Sequence, residues 1–249
     1  MACSALFRRF IMDDLAYISE NLKTVRGRIE KACASAGRDP ADVSLMAVSK
    51  TQPAEKLAAA VSAGQKLFGE NRVQELVQKS DFFRTHDAEC HIIGTLQTNK
   101  VKYLPELTGF IQSVDSLKLA KEISKHYSRF GRTADVLIEL NIGGEDSKSG
   151  ADPAMAEELA FAVSELDSVR LRGFMCIPPI CEGEDVRRYF AAMYRIFTDM
   201  AGKRIPGTDI SVLSMGMSDD YEYAVMEGST LVRVGRGIFG ERIYPPKQS

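Results

Sequence analysis

The sequence has almost no net charge: 32 lysines and arginines stand against 34 aspartates and glutamates, a formal −2 with the histidines neutral. That balance gives no broad electrostatic pull towards nucleic acid or an anionic membrane, although a local site can still hold a small phosphorylated molecule. Cysteine is sparse and unpatterned. The five (Cys3, Cys33, Cys90, Cys176 and Cys181) are odd in number, widely spread and without C-x-x-C spacing. This argues against a disulfide framework and a zinc site, and it fits a reducing cytoplasm. No apolar run approaches the roughly 18 residues of a membrane span, and no apolar h-region follows Arg8 and Arg9. Residues 1–11 read as a loose extension, with Met12 as an alternative start, ahead of one domain over 12–249. His86, His91 and His126 lack metal-ligand spacing, and there is no G-x-S-x-G or Walker pattern. His86 and His126 are expected on the surface. No linker, low-complexity tract or repeat divides the chain.

What is present is a 249-residue chain, 45% hydrophobic, a length that suits one α/β barrel. Its organising stretch is Val43-Ser44-Leu45-Met46-Ala47-Val48-Ser49-Lys50-Thr51-Gln52-Pro53. A mostly apolar run reaches a lysine, and a proline then sets a turn before the helix-forming Ala54 to Val61. An unbroken apolar run suits a strand buried on both faces, which puts Lys50 at its carboxyl end, where α/β barrels and open sheets carry their chemistry. A lysine against apolar walls is pushed towards its neutral amine, which can form a Schiff base with an aldehyde. A lysine in an ordinary exposed loop is the alternative reading of this stretch alone.

Apolar residues Leu15, Ile18, Leu22, Val25, Ile29 and Ala32/Cys33 make one helical stripe, with Asp13 or Asp14 as its cap and Gly37 as its stop. After the Lys50 strand, strands are predicted at Lys66–Arg72, His91–Gly94, Phe110–Val114, Asp135–Asn141, Leu171–Ile177, Ile210–Ser214 and Thr230–Val234. Helical segments alternate with them, among them Asn99–Leu104, one opened by Asp152-Pro153, one from about Asp185 to Gly202, and Asp219–Met226. Eight βα units predict a TIM-type (β/α)8 barrel, with a doubly wound open sheet as the rival. The first helix should then cover the wall where a last helix would pack.

A barrel brings its strand ends to one mouth, here Lys50, Asn71, Gly94, Ser113, Asn141, Ser214, Ser218, Arg233 and Gly235. Ser113 and Asn141 can equally be turn formers. Phosphate sites in such barrels use the loops after strands 7 and 8, where Ser218 is expected to cap the seventh helix and Gly235 and Gly237 let backbone N–H groups approach. Gly235-Arg236-Gly237-Ile238-Phe239-Gly240 spells the dinucleotide fingerprint G-x-G-x-x-G. Only Glu241 to Ser249 follow it, too little for the helix, strand and acidic ribose ligand about 20 residues on that the fingerprint requires.

Five segments together resemble a known family: Ala47–Thr51, Phe68–Glu75, His91–Lys100, Leu213–Asp220 and Gly228–Gly235. In this order they are similar to the pyridoxal phosphate homeostasis proteins, over about Met12 to Tyr244. The resemblance implies a single barrel like the N-terminal domain of alanine racemase, usually monomeric, with pyridoxal 5′-phosphate as cofactor. It also implies that Lys50 forms the Schiff base, that Ser214, Ser218, Gly235 and Arg236 lie in the phosphate-binding segments, that Arg233 faces the pyridine nitrogen and that Asn71 lies beside the ring. Thr95 and the N-terminal extension depart from the family pattern without affecting the lysine.

Two functions follow. One is a carrier that stores, buffers or delivers pyridoxal phosphate, with apoenzymes as partners and no amino-acid turnover. The other is an amino-acid racemase or related enzyme, which needs an acid/base group on each substrate face, the second of them supplied in alanine racemase by a further domain that this sequence does not hold. A lysine-dependent sugar-phosphate aldolase fits the barrel but not the motifs.

Overall fold

A computed structural model describes residues 15–145, 149–181 and 183–241. Eight parallel strands close into a barrel in chain order: β1 (Ser44–Val48), β2 (Leu67–Glu70), β3 (Glu89–Ile92), β4 (Phe110–Val114), β5 (Ala134–Leu140), β6 (Val169–Cys176), β7 (Val212–Ser214) and β8 (Leu231–Val234). β8 pairs back onto β1 with Arg233 opposite Met46, which closes the barrel and rules out the open sheet.

The helices are α1 (Ala16–Ser35), α2 (Ala54–Ser62), α3 (Val73–Thr85), α4 (Leu117–Arg129), α5 (Ala156–Ser164), α6 (Arg187–Gly202), α7 (Tyr221–Met226) and the one-turn α8 (Arg236–Phe239). α1 buries the stripe Ile18, Leu22, Val25, Ile29, Ala32 and Cys33, and each large apolar side chain removed from water contributes about 1.5–3 kcal/mol. It ends as predicted. Gly37 has φ 66°, Arg38 N–H donates to the Cys33 carbonyl at 2.9 Å and Gly37 N–H donates to the Ala34 carbonyl at 3.3 Å, a Schellman closure. α1 packs against α2, α7 and α8, and Tyr17 and Asn21 donate to the Phe239 and Ile238 carbonyls. The expected cover over the β8–β1 wall is thus present.

Period-2 alternation sorts each strand into two faces. Outward residues such as Ala47, Phe68, Ile92, Val136, Leu213 and Val232 join the large core under the helices. Inward ones form two small clusters, Met46, Val48, Ile93 and Leu231, and Phe110, Leu137 and Met175. Further inward positions are buried and polar: His91, Gln112, Glu139, Ser214 and Arg233.

Several boundaries differ from expectation. The Asn99–Leu104 segment is a 3₁₀ helix over Thr98–Tyr103, a pitch that stacks residues three apart and suits its buried pair Val101 and Leu104. α6 begins at Arg187 after a 3₁₀ turn over Gly183–Val186, and α7 begins at Tyr221. β7 is only Val212–Ser214, although Ser211 N–H still donates to the Arg172 carbonyl. The cap expected from Asp13 or Asp14 and the extension over 1–11 lie outside the described residues.

Candidate functional site

The carboxyl ends of the strands enclose a cavity of about 220 Å³. Lys50, two residues past β1, lines one side, and Ser218, Gly235 and Arg236 line it as well. Asn71, Asp219 and Arg233 complete the polar lining, and Val48, Ile93, Ile177 and Met217 supply apolar wall. Six of the seven predicted site residues therefore share one cavity. Ser214, the seventh, does not line it: the residue is fully buried, and its hydroxyl accepts from Arg233 Nη1 at 2.6 Å. Hollows of about 290, 350, 550 and 590 Å³ also lie elsewhere, and in that of 350 Å³ Arg26 and Gln65 are already committed. There Arg26 donates to the Ala63 carbonyl and Gln65, and Gln65 in turn donates to the Leu45 and Leu67 carbonyls.

Ser218 does not cap the seventh helix as expected. Its Oγ accepts from Gly235 N–H and Gly237 N–H, both at 3.3 Å, so it ties the β7 loop to the β8 loop. Met217 N–H instead donates to Asp220 Oδ1 at 2.6 Å. Two backbone donors thus converge at long distances on one oxygen. The Arg236 guanidinium also lines the cavity, ion-paired with Asp219 and 3.6 Å from Glu241. Convergent N–H groups beside a guanidinium suit a tetrahedral anion, whose oxygens accept shorter, charge-assisted bonds.

Arg233 is almost wholly buried and donates to Ser214 Oγ and, at 2.9 Å, to the Cys176 carbonyl. A guanidinium can only donate, and that fixes the sense of everything behind it. The Ser214 hydroxyl donates to Gln112 Oε1 (2.7 Å), which leaves the Gln112 amide N–H to donate to His91 Nδ1 (2.8 Å). His91 then carries its proton on Nε2, 2.8 Å from Glu89. One-way hydrogen bonds thus cross the barrel interior from Arg233 to Glu89. Burial lowers the pKa of Arg233, while the Cys176, Glu139 and Asp220 side chains act in the opposite direction. Burial likewise pushes the Cys176 thiol up to about 12, so it is unreactive as a nucleophile.

Glu139 is the buried carboxyl near this arginine. Burial raises its pKa, partly offset by the Ser149 hydroxyl at 2.6 Å and by Arg233. A raised folded-state pKa means that this group's contribution to stability is full below the ordinary carboxyl value and is lost as pH rises through the raised one. Glu139→Gln removes that titration. The stability difference should therefore shift in favour of the variant as pH rises from the ordinary carboxyl range through the raised pKa of Glu139, as read by urea unfolding at each pH. A difference that does not change with pH contradicts this account of Glu139.

The turn-former reading holds for Asn141, whose side chain pairs with the backbone of Glu145, and Ser113 Oγ donates to the Gly94 carbonyl at 2.7 Å. His86, just past the end of α3, and His126, on α4, are half-buried against Phe82 and Glu122. Among the described residues no cluster could hold a metal, and the described cysteines are all free. No described helix is long and apolar enough to cross a membrane. His91 and Gln112 were not picked out as site residues in the sequence. The signal is there in retrospect: single polar residues at inward parity within apolar strand runs.

The family model for the N-terminal domain of alanine racemase matches residues 14–243. Curated relatives from Aquifex aeolicus (44% identity, covering 90% of this chain and 98% of the relative) and Escherichia coli K12 (42%, covering 95% and 100%) are both called pyridoxal phosphate homeostasis protein. The chain belongs to the pyridoxal phosphate homeostasis protein family. Solved structures are similar as well: PipY of Synechococcus elongatus, described with pyridoxal phosphate (PLP) bound, superposes with a TM-score of 0.78 at 34% identity, covering 90% of this chain and all of PipY. A Bifidobacterium adolescentis protein described as unknown gives 0.87 at 38%, covering 90% and 95%. Alanine racemase from Corynebacterium glutamicum, at 16% identity and a TM-score of 0.67, covers 94% of this chain and 63% of its own and shares the fold alone. In this homeostasis-family chain the resemblance seen in the five segments thus extends along almost the whole length.

Proposed function

We propose that this protein binds pyridoxal phosphate in the barrel mouth, holds it as a Schiff base on Lys50, and serves intracellular homeostasis of the cofactor by storing, buffering or delivering it to apoenzymes. One observation carries the reading: a lysine at the end of β1 shares a cavity with a cradle of anion donors at Ser218, Gly235 and Arg236. When bound, the cofactor supplies an aldehyde and an electron-withdrawing ring. The cradle residues would anchor the phosphate, and Lys50 would present its amine to the aldehyde. The names of the relatives, and the PLP-bound PipY, support the choice of cofactor.

Arg233 favours a carrier over a racemase. Its guanidinium would donate to the pyridine nitrogen without giving up a proton, leaving the ring a weaker electron sink than one paired with a carboxylate. Besides Lys50, the described titratable side chains that line the cavity are Asp219, Arg233 and Arg236, and Asp219 is ion-paired with Arg236. A second acid/base group for two-base racemisation is not evident among them.

Loaded protein in deuterated water should exchange the α-proton of alanine and other amino acids far more slowly than about 1 per second. Exchange at that rate or faster, lost in Lys50→Ala, would establish an enzyme instead. Loaded protein should also activate an apoenzyme faster than the same concentration of free cofactor does; equal rates would leave storage without delivery. Pyridoxal lacking its phosphate should bind about a hundredfold more weakly, since two charge-assisted hydrogen bonds at ~1.5 kcal/mol each are lost. Equal affinity for the two forms, measured by titration, would remove the cradle from the account.

A further inference from the structure

The main chain on both sides of Lys50 is gripped by side chains that do not line the cavity. Before it, the Ser49 carbonyl accepts from Lys79 Nζ at 2.8 Å, and Ser49 Oγ donates to Glu70 Oε1 at 2.7 Å. Lys79 also pairs with Glu70 at 2.7 Å, where the Glu70 side chain is fully buried, and lies 3.6 Å from Glu75. After it, Thr51 N–H donates to Glu75 Oε2 at 2.7 Å, while Thr51 itself sits at φ 63°, a left-handed conformation that a β-branched residue rarely adopts. Backbone in such a state persists only where its surroundings over-determine it, and here Glu75 and the Ser49 carbonyl, which also accepts from Gln52 N–H, do so.

Docking α3 on the barrel explains only part of this arrangement. The Lys79–Glu70 pair alone would pin the helix to β2. The further donor of Lys79 and the carboxylate of Glu75 go to the peptide groups immediately before and after the lysine. We propose that Lys79 and Glu75 are positioning residues, a two-sided clamp from α3 that fixes the backbone of Lys50 so that its side chain is held in the mouth ready to meet an aldehyde. The inference rests on the pyridoxal phosphate reading above and adds to it two residues outside the cavity.

The test uses the full-length protein freed of cofactor, with Lys79→Met, which keeps the apolar stem, Glu75→Gln, which keeps the shape, and Lys79→Arg, which restores a donor. On mixing with pyridoxal phosphate, the visible absorption band of the Lys50 Schiff base should grow about tenfold more slowly in Lys79→Met, less so in Glu75→Gln, and near the wild-type rate in Lys79→Arg. An analogue with a methyl group in place of the aldehyde binds without the amine, so its affinity should stay within about twofold in every variant. Without any ligand, the amides of Thr51 and Gln52 should exchange hydrogen faster in Lys79→Met and Glu75→Gln. An unchanged rate of band growth overturns the proposal. So does a parallel loss of analogue affinity, which would mark general damage to the mouth. If Lys79→Met does not fold, Glu75→Gln carries the same three measurements. If the wild-type label maps to another lysine, the pyridoxal phosphate reading fails on its own, while unprotected Thr51 and Gln52 amides in the wild-type protein would sink the clamp separately.

Discussion

Lys50→Ala should bind pyridoxal phosphate roughly a hundredfold more weakly, about 2.7 kcal/mol, and should lack the visible absorption of the Schiff base. The fold should survive. Lys50 lies beyond β1, is only half-buried, and its main chain is held by groups that the substitution leaves in place. Circular dichroism and urea unfolding should therefore match the wild type while the spectrum does not. A variant that keeps the band would move the covalent role elsewhere, and one that unfolds would make Lys50 a structural residue first.

Gly173→Ala should have the largest effect on stability. In β6 Gly173 has φ 142°, where L side chains are strained, and a Cβ built there would lie 1.9 Å from the Val212 carbonyl oxygen on β7. The pairing of β5 with β6 slips at this point, from Val136 opposite Leu171 to Leu137 opposite Gly173, so the chain bends at a bulge that only glycine fits. The three-residue β7 has little pairing to spare. The expected loss is ~4 kcal/mol or more, because the neighbouring backbone must move. Gly109→Ala, whose Cβ would meet nothing within 4 Å, is the control and should stay within about 0.5 kcal/mol. Equal stability of the two variants in urea would contradict the bulge account.

Gly173 also marks where reading the sequence stops. The barrel was legible because its strands are buried on both faces and so appear as apolar runs, as in Val136-Leu137-Ile138, separated by helices with a single stripe, as in α1. Lys50, Asn71, Ser218, Arg233 and Gly235 were legible as residues at strand ends or in the loops that follow them, which barrel geometry brings to one mouth, whereas Arg236 came from the family resemblance. Side-chain partners were not. Ser214 read as a phosphate-side residue, yet its place at inward parity in β7 puts it beneath the cavity, bonded to Gln112 across 102 residues of sequence. Ser218 read as a helix cap, yet its hydroxyl reaches across to Gly235 and Gly237. Lys79 and Glu75 carry no local signal that α3 directs them at the peptides flanking Lys50.

The central claim is that this barrel mouth binds pyridoxal phosphate through Lys50. Its most direct test is to load the wild-type protein with pyridoxal phosphate, reduce it with borohydride, digest it and locate the added mass by tandem mass spectrometry. The account predicts one modified site, Lys50. Label distributed over surface lysines, or concentrated on a lysine outside the mouth, would contradict it.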